Sequence, residues 1–207
     1  MNHSILFIGI IEENNSRSIL DITKALFIQS DYEVTYESIN GDIIGFCNGF
    51  RTLIVFDLII KDLNMINFNN FNFDIIVHSY IDDFTNPYIN NLIKKSKICI
   101  LNADEGNFVP LYNNLEDVIA ITYGFNSKST LTVSSYNLNP TIAVNLCLQR
   151  DLSPVFGEKI EPFEFSLELT SENESYIYPV LAASTLTLIV GETIFNKKPY
   201  QTIIVNY

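Results

Sequence analysis

Tryptophan is absent from this 207-residue sequence, histidine occurs twice and cysteine three times. The cysteines, Cys47, Cys99 and Cys147, stand far apart, the last two within apolar strand-like runs. They read as small core residues, not as a disulfide or zinc set. The sequence puts no histidine or basic group beside any of them that would make a thiolate nucleophile. Basic residues are scarce as well: 12 Lys and Arg against 24 Asp and Glu leave a formal charge of −12. That balance disfavours nucleic acid as a partner, because phosphate backbones need a basic face. A polyanionic ligand would need a local basic nest. No apolar run reaches the ~18 residues of a membrane helix, and no basic segment leads into an apolar stretch at Met1. The expectation is a cytoplasmic protein without a membrane partner.

What the chain does have is apolar content of 47% and a mean hydropathy of +0.18. Both argue for a buried sheet rather than disorder, and the length suffices for one large α/β domain with a full core. Ile5 to Ile11 is continuously apolar and predicts a central buried strand. After a polar loop, Glu12 to Ser18, a helix is expected over Ser18 to Gln29, capped by Ser16 or Ser18. Glu33 to Ile39 alternates as a strand. Gly41 to Phe50, with three glycines, reads as a loop. Thr52 to Ile60 and Phe73 to His78 read as strands, and Pro87 to Lys95 as a helix.

The stretch from Lys97 to Phe125 places apolar runs at Ile98 to Leu101 and Val118 to Ile121 on either side of a short helix-like segment, which is a βαβ grammar. Ligands of such units sit beyond the carboxyl ends of the strands, where Asn102, Asp104 and Glu105 stand. Strands alternating with crossovers predict a mostly parallel sheet with helices on both faces.

Beyond Phe125 the pattern changes. Ser129 to Tyr136, Thr141 to Leu148 and Phe163 to Leu169 predict a three-strand antiparallel appendage. A helix over Asn173 to Val190, stopped near Gly191, follows, and then an edge strand over Thr202 to Val205. With no linker-like segment and no internal repeat, the expectation is one domain over 1–207, its parallel α/β part over 1–126 and its antiparallel strands and last helix over 127–207.

A strand, a polar loop and a helix are the setting of a phosphate-binding loop, G-x-x-x-x-G-K-[ST]. The corresponding residues are Ile11 to Ser18, I-E-E-N-N-S-R-S. Ile11 and Ser16 replace both glycines, Arg17 stands at the Lys position, and Ser18 keeps a hydroxyl for Mg²⁺. Glu12 and Glu13 would repel a triphosphate, by roughly 4 kcal/mol for one like charge at 4 Å and an effective dielectric near 20. The plainer reading is a solvated strand-to-helix loop.

At this point the chain resembles a family. I-L-N-A-D-E-G-N…A-I-T-Y-G-F is similar to the V-I-N-A-D-D…V-I-T-F-G pattern in the central ATP-binding domain of the Mur ligases, the ATP-dependent amino-acid ligases of peptidoglycan precursor synthesis. Phe73 to Asp83 resembles that family's F-D-x-x-V-x-T-N-x-x-x-D-H segment. Val55-Phe56-Asp57 resembles its strand ending in a metal-binding Glu, and Ile10 to Ser18 falls where G-I-T-G-T-N-G-K-T-T stands. The tail is similar to the family's strands and H-N-x-x-N-x-L-A-A helix.

The resemblance implies a P-loop-like, Mur central-domain fold. It also implies ATP and Mg²⁺ as candidate cofactors, with nucleotide binding by Asn15, Arg17, Ser18, Asn102 and Asp104 and metal contacts from Ser18 and Asp57. Lys94 and Lys95 are the candidates for the family's carbamylated Lys. The departures are both glycines, the Lys, the shortened metal ligand, and Asp83 in place of His. The substrate-binding and amino-acid-binding domains of full ligases are not in the sequence.

Three functions follow from the sequence. One is a degenerate Mur-like domain acting as a binding or assembly subunit, paired with itself or with a complete ligase. Another is an ATP-binding subunit or acid–amino-acid ligase completed in trans. The third is a small-molecule-binding domain of the same architecture. His78 beside Asp82 and Asp83 reads as a strand-end histidine, with a metal pair or general base as the alternative. Glu158, Glu161, Glu164 and Glu168 read as a solvated face, with Ca²⁺ as the alternative. The loop Cys147 to Pro162, with Arg150, Asp151 and Lys159, is a candidate partner contact.

Overall fold

The computed structural model describes residues 3–12, 16–58, 71–79, 87–104, 115, 117–138, 142–169, 176–195 and 202–205. Continuous apolar runs must be covered on both sides, and the first strand shows how. Ser4–Ile11 (β1) lies between Arg51–Asp57 (β4) and Ile75–His78 (β5), parallel to both, with Ile8 opposite Val55 and Ile75. Ile98–Asn102 (β6) and Ile119–Tyr123 (β7) extend the parallel array beyond β5. Successive side chains point to opposite faces, so Ile75, Val77, Ile98 and Ile100 join one core. Ile76, Cys99 and Leu101 join another.

The first core is covered by Ser18–Gln29 (α1) and Ile177–Val190 (α3), which pack on each other. The second is covered by Pro87–Lys95 (α2) through Ile89, Leu92 and Ile93. None of these helices is long and apolar enough to cross a membrane. Helix α3 is buried along nearly all of its length. Two of its buried hydroxyls donate back to its own carbonyls, Thr185 to Leu181 at 2.7 Å and Thr187 to Ala183 at 2.8 Å.

The remaining strands are Glu33–Glu37 (β2), Ile43–Asn48 (β3), Leu131–Asn137 (β8), Ile142–Leu148 (β9), Phe163–Leu169 (β10) and Thr202–Val205 (β11). All eleven described strands form one sheet in the order β11-β10-β9-β8-β7-β6-β5-β1-β4-β3-β2. The mostly parallel, helix-covered α/β architecture and its small antiparallel part agree with expectation. The antiparallel strands β8 to β10 are joined to the main sheet through Tyr123 opposite Leu131, so they continue it.

One segment departs from the sequence reading. Gly41 to Phe50 contains a strand, β3, that pairs antiparallel with β4 through Asn48 opposite Arg51. Gly41 (φ 72°) and Gly49 (φ 59°) sit at the two turns that bound it, and only Gly45 lies inside. Glycine density therefore marked a tight hairpin rather than a long loop. At the same edge, β2 is exposed throughout and carries a register shift between Val34 and Tyr36. A bulge and two glutamates blunt that edge against pairing with another chain.

The loop from Cys147 to Pro162 is tied to the fold. Leu152 and Ile160 form an antiparallel bridge. Val155 N–H donates to Ile189 O at 2.7 Å and Phe156 N–H to Val190 O at 3.3 Å. Lys159 pairs with Asp151, and Arg51 stacks over the Phe156 ring at 4.8 Å. A Cβ on Gly191, the αL cap of α3, would lie 1.8 Å from Phe156 O, so this close approach requires glycine. On β10, Phe165, Leu167 and Leu169 are buried opposite Glu164, Ser166 and Glu168, as the alternation predicts.

Candidate functional site

Four adjacent parallel strands end on one rim of the sheet, in the order β6, β5, β1 and β4. Their last residues bring Asn102, His78, Ile11 with the adjoining Glu12, and Asp57 to that rim, since Ile11 is opposite His78 and Ile10 is opposite Asp57. The sheet reverses its strand order at β1, which is where open α/β sheets bind ligands.

Helix α1 starts above this rim, and its first turn would leave backbone N–H groups unpaired. Neither Ser16 nor Ser18 caps it, contrary to expectation: the N-cap is Arg17, at φ 55° and ψ 12°, with no side-chain cap bond. The cap comes from the loop instead. Glu12 Oε1 accepts the N–H groups of Ile19 at 3.0 Å and Leu20 at 3.3 Å, and Glu12 Oε2 accepts the Ser16 hydroxyl at 2.8 Å. Glu12 is only 6% exposed, so this residue of the loop is not the solvated one its charge suggested. Burial pushes its carboxyl above the usual range, opposed by the Ser16 bond and reinforced by the Asp57 charge.

Arg17 turns its guanidinium toward β4. Nε lies 3.2 Å from Asp57 Oδ2, Nη2 donates to Asp42 Oδ1, and Nη1 donates to Asn40 O at 2.5 Å. A left-handed φ is costly for a residue with a Cβ, and here it aims the side chain into that acidic notch. Asp57 is nearly buried, and its carboxyl is raised by burial, which the Arg17 charge opposes. Ser18 is the first residue of α1 and is itself buried. Asn15, and with it Glu13, Asp82, Asp83 and Glu105, lies outside the described residues.

Across the rim, Asn102 is buried at the end of β6, and its Oδ1 accepts the Asp104 N–H at 3.1 Å, closing an Asx turn. Asp104 then reaches over to the end of β7. It accepts the N–H groups of Phe125 at 2.6 Å and Asn126 at 2.9 Å, and the Tyr178 hydroxyl at 3.1 Å. Gly124 (φ 148°) lies beneath this carboxylate, and a Cβ there would be 2.6 Å from Asp104 Oδ2. Asp104 thus fastens the loop after β7 to both β6 and α3.

His78 is buried, and burial lowers its pKa to about 4, so the ring is neutral. Lys94 and Lys95 lie in the exposed last turn of α2. All three cysteines are free thiols, and burial pushes the Cys99 thiol up, away from a nucleophile's range. Among the described residues no group of three or more His, Cys, Asp or Glu could hold a metal.

The arrangement divides in two. The Asn102–Asp104 half is a preformed turn with its polar atoms at a strand end. In the α1 half, among the described residues, the N–H groups of Ile19 and Leu20 are taken by Glu12 and the Arg17 guanidinium by Asp42 and Asp57, an arrangement that leaves these groups no place for a magnesium-bound phosphate chain. What sequence reasoning missed was Asp42 and the cap made by Glu12. Both depend on contacts that local pattern does not carry.

No family model matches the chain. The UDP-N-acetylmuramoyl-L-alanyl-D-glutamate–2,6-diaminopimelate ligase of Helicobacter pylori (strain J99) is 31% identical over 96 residues, which are 46% of this chain and 19% of that ligase. In structure, MurF ligase from Thermotoga maritima in complex with ADP matches 92% of this chain and 46% of its own, with a TM-score of 0.61 and 14% identity. MurF from Acinetobacter baumannii matches 90% and 43%, with a TM-score of 0.64 and 8% identity. The chain therefore spans less than half the length of these solved ligases. It has the α/β fold of a Mur ligase central domain and, over 96 residues, a sequence similar to that of a Mur ligase.

Proposed function

We propose that this chain is a Mur-ligase-like subunit with a degenerate phosphate loop, a pseudoenzyme that does not by itself form amide bonds with ATP. Its role is binding and assembly, either with a second copy or with a complete Mur-like ligase, in the cytoplasm of a bacterium. The observation that carries this reading is the commitment of Arg17, the one cation at the Lys position of the loop, to Asp42 and Asp57. A cation neutralised by two carboxylates offers little to a triphosphate.

The second reading is a nucleotide-binding subunit, completed in trans as an ATP-dependent acid–amino-acid ligase. It is favoured by the intact Asn102–Asp104 turn. Melting temperature with millimolar ATP, with and without Mg²⁺, separates the two, since a bound ligand raises stability by RT ln(1+[L]/Kd). The expected result is no shift, for the chain alone and with a Mur-like partner. A shift abolished by Asn102→Ala would overturn the first reading in favour of the second. Light scattering and pull-down against Mur-like ligases test the assembly role, which a monomer with no captured ligase would exclude.

A further inference from the structure

Two Asn-Gly pairs flank β3, Asn40-Gly41 before it and Asn48-Gly49 at its end. Such a pair suits a tight hairpin because glycine accepts a positive φ, and the two glycines adopt 72° and 59°. It is also the pair in which a backbone nitrogen reaches the preceding side-chain amide with least obstruction, since glycine carries no Cβ. We propose that Asn48 is a self-modification site, where the folded chain converts its own asparagine to aspartate and isoaspartate through a cyclic imide, while Asn40 is protected.

The two turns share a sequence and differ in their surroundings. At Asn40 the peptide is fastened: Gly41 N–H donates to Ser38 O at 2.8 Å. Arg17 Nη1, bonded to Asn40 O, would stand 3.1 Å from a Cβ at Gly41. At Asn48, nothing among the described residues accepts the Gly49 N–H. Gly49 is exposed, and a Cβ there would meet no atom within 4 Å. This nitrogen is free to lose its proton to solvent, and a ring has room to form. Asn48 Nδ2 does donate to Ser30 O, but at 3.2 Å, the long end of the range. That bond engages the nitrogen that leaves, not the Cγ under attack.

The deprotonated Gly49 nitrogen adds to Asn48 Cγ, the Cγ–Nδ2 bond breaks, and ammonia departs with a proton from solvent. Water then opens the imide. Cleavage at Cγ gives aspartate, and cleavage at the main-chain carbonyl carbon gives isoaspartate. No electrons are exchanged with another reagent. Either product loses the donor to Ser30 O and gains a negative charge, and isoaspartate lengthens the backbone of the turn by one atom. That turn is closed by Asn48 opposite Arg51, and its Phe50 O accepts the Ser4 N–H at 2.9 Å. Conversion therefore loosens the join between β3, β4 and the start of β1.

The test is to age the wild-type chain in mildly alkaline buffer, folded and in concentrated urea. Conversion at Asn40 and Asn48 is followed by mass spectrometry, with fragmentation that separates aspartate from isoaspartate. In the folded chain Asn48 should convert roughly fivefold faster than Asn40, the factor that one hydrogen bond of ordinary net strength on the Gly41 N–H represents. In urea the two rates should converge, because the local sequence is the same. Asn48→Gln, which closes a larger ring far more slowly, should remove most of the acidic species that ion exchange resolves on ageing. The wild-type rates carry the test if that variant does not fold. Conversion at Asn48 no faster than at Asn40 in the folded chain would overturn the proposal. So would a rate ratio that persists in urea, since the fold would then have no part in it.

Discussion

Arg17 Nε stands 3.2 Å from Asp57 Oδ2, joining the N-cap of α1 to the last residue of β4. The two residues are 40 positions apart, and a Lys and a metal-binding Glu were expected of their places by resemblance. Here they meet as a cation and its counter-ion. The pair is lopsided in burial, with the Arg17 side chain 33% exposed and that of Asp57 4%. Removing the arginine therefore strands a carboxylate that water barely reaches.

Arg17→Ala should cost about 2 kcal/mol, less than the loss of a wholly buried pair because the guanidinium is partly solvated. Arg17→Gly loses the same ion pair but relieves the left-handed φ, so it should be more stable than the alanine variant by about 1 kcal/mol. Urea midpoints of the two variants check this. Equal midpoints would mean that the αL backbone at residue 17 carries no strain.

Gly124→Ala should be among the more damaging single-methyl additions in the chain. Its Cβ would press on the Asp104 carboxylate at 2.6 Å, and that carboxylate holds the Phe125 and Asn126 N–H groups and the Tyr178 hydroxyl. Asp104→Asn keeps only one carbonyl oxygen for these donors and should cost about 1 kcal/mol. The signature is faster amide hydrogen exchange at Phe125 and Asn126 in both variants. Unchanged exchange in either would show that the loop after β7 is held by something else.

His78 should make the fold sensitive to acid. Its folded pKa is about 4 against 6.5 for the model group. Below pH 6.5 the unfolded chain therefore takes up a proton that the folded chain refuses. Stability is lost as pH falls from about 6.5 to about 4, by about 3 kcal/mol over the full window. Glu12 and Asp57 act with the opposite sign. Their raised carboxyl pKa values make the fold bind protons more readily than the unfolded chain, so their contribution is lost as pH rises through the raised values. Urea midpoints at pH 7 and pH 5 for the wild type and His78→Gln isolate the histidine, because the variant should lose less on acidification. A variant as acid-sensitive as the wild type would refute the assignment.

Much of the architecture was legible because periodicity and burial are local signals. Helix α1 over Ser18–Gln29 and α2 over Pro87–Lys95 have the bounds that the apolar spacing predicts. Strand β6 splits cleanly between the two cores, Ile98 and Ile100 to one and Cys99 and Leu101 to the other, as a run buried on both faces must. Strand β3 was hidden because its glycines suggested a loop, while two of the three belong to the turns at its ends.

The site was legible only as a place. The βαβ pattern put Asn102 beyond a strand end, but the apolar run Thr52 to Ile60 carried Asp57 within a strand, and only the resemblance made it a strand end; the structure ends β4 at Asp57 and brings it to one rim with Asn102 and Glu12. The sequence alone also determined that the loop before α1 is acidic and lacks the glycines of a phosphate loop. What those acids do was decided by tertiary structure. Glu12 became a buried helix cap because the rim gave it two backbone N–H groups and a hydroxyl. Arg17 was captured because the turn before β3 brought Asp42 to it across 25 residues. Asp104 became a clasp because Tyr178, 74 residues away, folded back over it. A charge in a sequence has a sign, but its partner is chosen by distance in the folded chain, and at this rim distance paired the charges with one another.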